Sequence, residues 1–142
     1  MIAHAHHGRL DLVDEFTREL PDKLSTMLTD PAGDPTAHLA SFPACGALLL
    51  ALAMVDLDRG TRARDDRATA SGVRLIALAE RFRFLRRFQP TMSSARARQA
   101  AEQADGPAYA DAVSAYAGLG RGELPAAALT ALRARAGSIA GR

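Results

Sequence analysis

Three imidazoles, His4, His6 and His7, crowd the start of the chain, with the Asp11 carboxylate just beyond and His38 further on. Imidazole and carboxylate together are the donor set of a divalent metal site. Such a site needs ligands on rigid backbone, and these histidines lie in a terminus without apolar patterning, so the stretch reads as a solvated tail and no metal is expected. Cys45 and His38 are the residue types of a thiolate nucleophile and its base. A reactive thiolate also needs exposure and positive surroundings, whereas Cys45 sits inside an apolar run and reads as a small buried hydrophobe. The chain has no His-Glu-x-x-His, no glycine-rich phosphate loop and no nucleophile elbow. The expectation is a protein that binds and does not catalyse, with no cofactor.

Charge gives the next clue. Residues 11–58 hold nine acidic and two basic side chains, whereas residues 81–98 hold six arginines and no acid. A basic edge of this kind suits an acidic partner or an anionic ligand; an acidic first hairpin packed beside a basic middle would produce the same polarity. Seventeen of the eighteen basic residues are Arg, a uniformity that fits codon bias better than selection at each position. Phe82, Phe84 and Phe88 interleave with the arginines as in single-strand nucleic-acid binders. Their helical spacing puts the rings on packing stripes, and a net charge of +2 pulls only weakly on phosphates, so no direct nucleic-acid contact is expected.

A chain of 142 residues with 48% hydrophobic content is long enough for one core. Strand-favouring β-branched and aromatic types are scarce while Ala, Leu and Arg dominate, which predicts an all-α fold. The lone Cys45 allows no internal disulfide and suggests a reducing cytoplasm. The apolar run 44–55 is too short for a membrane span, and residues 1–9 lack a signal-peptide pattern.

Along the chain, Leu10, Val13, Phe16, Leu20, Leu24 and Met27 recur at three- and four-residue steps, predicting an amphipathic helix over 10–28 that kinks or restarts at Pro21. The prolines and glycine of 30–35 predict a loop, and 36–41 a single turn. Pro43 opens a helix to about Leu57 that is apolar all round and must be central; Gly60 is assigned the left-handed cap after it. In the next helix, 65–88, Leu75, Leu78, Phe82 and Leu85 form one stripe and Val73, Ala77, Phe84 and Phe88 a nearly opposite one. Two stripes imply neighbours on both sides. Arg83 and Arg87 then emerge along one open edge, Arg74 and Arg81 along the other. Further helices are predicted over 93–104, from Gly106 through Tyr109, Val113 and Tyr116, and over 124–135. The domain plan is a disordered segment 1–9, a helical domain 10–136 and a frayed tail 137–142, with six or seven helices in antiparallel hairpins that form a stacked array or a compact bundle.

The stretch SGVRLIALAERF from Ser71, followed by ARARQAAEQADGPAYADAVSAYAGLGRGELPAAALTALRAR, resembles the closing repeats of large bacterial transcriptional regulators of the AfsR/SARP and LuxR ATPase type. Gly106 with Tyr109, the glycines from Gly118 to Gly122, and the Ala-rich 126–132 stand at the corresponding places. The chain departs from those regulators in lacking their helix-turn-helix and phosphate-loop ATPase regions. The resemblance implies a tetratricopeptide-like array of about three hairpins, and so prone to oligomerise, acting as a detached interaction module that binds a partner protein or another domain of a parent regulator. Arg74, Arg81, Arg83 and Arg87 are the candidate partner-binding residues. The alternative is a small-molecule sensor whose pocket between helices draws on Met54, Phe82, Tyr109 and Tyr116.

Overall fold

A computed structural model describes residues 14–29, 35–82 and 94–140, and among them it contains five helices and no strand: α1 (Asp14–Thr29), α2 (Pro35–Ala63), α3 (Asp66–Arg81), α4 (Ser94–Ala117) and α5 (Leu124–Ala140). The all-α expectation holds; the expected six or seven helices do not. The turn at 36–41 and the helix from Pro43 are one element, because α2 runs through Pro43. Proline removes one intrahelical hydrogen bond. The core residues beside it, Phe42 and Cys45, are 7% and 1% exposed and hold the backbone in register across the gap. Likewise α1 runs through Pro21.

The other merger is geometric. Within α4, Asp105 leaves the helical region at φ −161° and ψ 86°, so the expected break at 105–107 is present as a kink between two helical halves. Asp105 caps the second half, its Oδ1 accepting from the Ala108 N–H at 3.0 Å.

The helix of two stripes is α3, and it is the centre of the domain. It packs against α2, α4 and α5. Val73, Leu75, Ile76, Ala77, Leu78 and Ala79 are all buried, which is what a helix apolar on opposing faces requires. Asp65 starts it by accepting at Oδ1 from the N–H groups of Arg67 and Ala68, 3.0 and 3.1 Å away. Phe82 closes it, donating its N–H to the Leu78 carbonyl. The predicted continuation to residue 88 lies outside the described residues.

The turn between α2 and α3 corrects one assignment. The left-handed cap is Arg64, at φ 52°, with the Asp65 N–H donating back to the Gly60 carbonyl at 2.9 Å. Gly60 is glycine for a different reason: a Cβ there would stand 2.8 Å from the Thr69 nitrogen, so only hydrogen lets α3 come this close. Gly72 plays the same role from the other side, facing Ala53 and Leu57 of α2.

The first helix contacts both α2 and α5, so the two ends of the described fold meet. Leu20, Leu24 and Leu28 of α1 supply its core face. The last helix continues past residue 135 to Ala140. No helix among the described residues is long and apolar enough to cross a membrane.

Candidate functional site

The only buried charges among the described residues meet at one point. Asp56 of α2 is 4% exposed and Arg135 of α5 is 5% exposed. The guanidinium takes the carboxylate in a fork: Nε donates to Oδ2 at 2.8 Å and Nη2 to Oδ1 at 2.9 Å. The Ser71 hydroxyl of α3 donates to Oδ2 at 2.8 Å. Three helices are thereby tied through one carboxylate. The fork is the strongest geometry available to this pair, and it fixes the orientation of the guanidinium as well as its position.

Arg135 does more than neutralise Asp56, because it also lines a groove of about 360 Å³ between α3 and α5 with Arg67, Ser71, Arg74, Ala134 and Gly137. Helical periodicity explains why these residues share a face. Arg67 lies four residues before Ser71 and Arg74 three after it, so both sit one turn away on the same side. Ser71 and Arg135 hold the same carboxylate, which brings Arg135 of α5 beside Ser71 of α3. Three arginines thus line one groove, and the acid that Arg135 holds, Asp56, is already committed. Arg67 and Arg74 are exposed and make no ion pair among the described residues.

Of the four arginines singled out by sequence, Arg74 lies in this groove. Arg81 is exposed, and its Nη2 donates to the Leu119 carbonyl at 2.7 Å, bracing the turn between α4 and α5. Arg83 and Arg87 lie outside the described residues, as do His4, His6, His7 and Asp11. Cys45 is buried, and His38 stands two turns before it in α2. Among the described residues no group of three His, Cys, Asp or Glu side chains gathers to hold a metal ion.

The four residues of the sensor alternative have separate engagements. Phe82 is 1% exposed and its ring centroid stands 4.8 Å from that of Phe42. The Tyr109 hydroxyl donates to Glu80 Oε2 at 3.2 Å, and Glu80 Oε1 accepts from Arg98 Nε, so the phenol belongs to a polar link between α3 and α4. Burial, followed by the neighbouring Glu80 carboxylate, pushes the Tyr109 phenol up to about 12. Burial also raises Tyr116, while the nearby Arg74 charge opposes the shift. Met54 lines a cleft of about 480 Å³ between α2 and α4 with Leu57, Asp58, Arg62, Ala100 and Gln103.

Arg67, Ser71, Asp56 and Arg135 were not singled out by sequence. The 67, 71, 74 spacing was visible there, but the partner that converts it into a site lies 79 residues from Asp56. Against known proteins, the chain matches no family model, no curated protein and no solved structure.

Proposed function

We propose that this chain is a non-enzymatic interaction module whose helical bundle binds a partner protein, or another domain of a parent transcriptional regulator, by seating an acidic segment along the groove between α3 and α5. The observation that carries this reading is the lining of one groove by Arg67, Arg74 and Arg135, the first two without an ion pair among the described residues and the third fixed by Asp56. A groove of one sign focuses field and draws an oppositely charged segment toward it. The regulatory context rests on the resemblance of residues 71–135 to regulator carboxy-terminal repeats.

The test is affinity for a short oligoglutamate peptide by fluorescence anisotropy, comparing the native chain with the Arg67→Glu/Arg74→Glu variant and with Arg83→Glu/Arg87→Glu. The α3 groove variant loses binding and keeps its helicity; equal affinity for all three proteins removes the groove from consideration.

A second reading, a small-molecule sensor, draws on the α2/α4 cleft. Its walls are apolar at Met54, Leu57 and Ala100, and Asp58 Oδ2 lies 2.9 Å from Arg62 Nε without an aligned hydrogen bond. A metabolite that raises the melting temperature of the native chain but not of a Met54→Trp variant supports this reading.

A further inference from the structure

We infer that the centre of the α3/α5 groove is a site for a phosphate monoester. This rests on the reading of the groove as a binding surface and names the anion it is built for. A carboxylate is best satisfied by the two-pronged edge of a single arginine. Arg135 has spent that edge on Asp56, through Nε and Nη2. What remains is its end edge, the Nη1 group with the second Nη2–H, which makes no hydrogen bond among the described residues.

Arg67 and Arg74 stand one helical turn before and after Ser71, each turn being about 5.4 Å of rise. All three arginines line the same groove. A phosphate group, with three acceptor oxygens and up to two negative charges, can take one donor set from each, whereas a carboxylate leaves at least one guanidinium unused. The Ser71 proton is held by Asp56 at 2.8 Å, so recognition falls to the arginines. The charge count agrees: three guanidiniums less the Asp56 carboxylate leave +2, matching a phosphate dianion. The group can arrive on a phosphorylated side chain of the partner or on a free phosphorylated metabolite, and both present the same chemistry.

The experiment is isothermal titration of the native chain at constant ionic strength with three probes: phenyl phosphate, a phosphoserine peptide and the oligoglutamate peptide. The expected result is binding of the phosphate probes that tightens from pH 5.5 to 7.5, as the second phosphate proton leaves near pH 6, and that weakens about tenfold or more in Arg67→Gln/Arg74→Gln. Both substitutions fall on exposed side chains and leave the Asp56–Arg135 pair intact. A phosphoserine peptide that outbinds phenyl phosphate identifies a phosphorylated partner; equal affinities identify a free monoester. Oligoglutamate binding as tightly as either phosphate probe overturns the phosphate assignment while the groove reading stands. No binding by any probe overturns both, and phosphate binding unchanged in the double variant overturns the placement.

Discussion

Replacing Asp56 by alanine leaves the Arg135 guanidinium buried without its counter-charge. The side chains of both partners are 5% exposed, so water does not screen the loss. Removing one partner of a buried pair costs about 3–5 kcal/mol, because the cost is that of the stranded charge and not of the bond alone. The Ser71 hydroxyl loses its acceptor as well. For a chain of 142 residues the unfolding entropy near the melting point is about 0.3 kcal/mol/K, so the melting temperature should fall by about 10–17 °C. Thermal unfolding followed by circular dichroism at 222 nm, with a urea titration to fix the free energy, measures both numbers. Asp56→Leu combined with Arg135→Met removes both charges and should restore most of the lost stability. A fall of less than about 3 °C in the single variant, or a double variant no better than the single, refutes the claim that the pair is a buried, mutually dependent unit tying α2, α3 and α5 together.

Gly72→Ala should destabilise by about 1–3 kcal/mol, since its Cβ would stand 2.8 Å from Leu57 Cγ and 2.9 Å from the Ala53 carbonyl oxygen, whereas Gly118→Ala, with open space around it, should not show that loss; chemical denaturation of the two variants makes the comparison. Asp65→Ala removes the cap of α3 and should cost about 1 kcal/mol, read from the same curves. The Tyr109 phenol is raised, so its contribution is complete below the unfolded-state value near 10 and is lost as pH climbs through about 12, by up to about 2–3 kcal/mol. Tyr109→Phe should flatten that alkaline limb of the stability profile; an unchanged limb assigns it to other groups.

Much of the fold was legible because it depends on local periodicity. The opposed stripes of α3 identified a helix with neighbours on both sides, and Val73, Leu75, Ala77, Leu78 and Phe82 of those stripes are buried, together with Ile76 and Ala79, which the spacing did not select. The break at Asp105 was visible in Asp-Gly-Pro, since an aspartate before such a pair is a natural cap. The continuity of α2 was not legible: Pro43 signals a start in isolation, and only burial of Phe42 and Cys45 outweighs it. Gly60 was assigned a turn role because sequence shows that glycine is free to bend and does not show that Thr69 will press against it. Val113, spaced as a core residue between Tyr109 and Tyr116, is 40% exposed, so the periodicity alone misplaced it.

The site divides in the same way. Arg74 was singled out as an edge residue and does line the groove, and the turn-by-turn spacing of Arg67, Ser71 and Arg74 is written in α3 alone. Asp56 and Arg135 are among many charges in a chain rich in both, and nothing local distinguishes them. Their pairing arises from three helices meeting, a tertiary fact.

The most direct test of the central claim is chemical-shift mapping of the native chain by heteronuclear NMR during titration with the phosphoserine and oligoglutamate peptides. The account predicts perturbations concentrated on Arg67, Ala70, Ser71, Arg74, Ala134 and the Arg135 side-chain Nε–H. Perturbations gathered at Met54, Thr61 and Ala104 of the α2/α4 cleft, or none at any site, would contradict it.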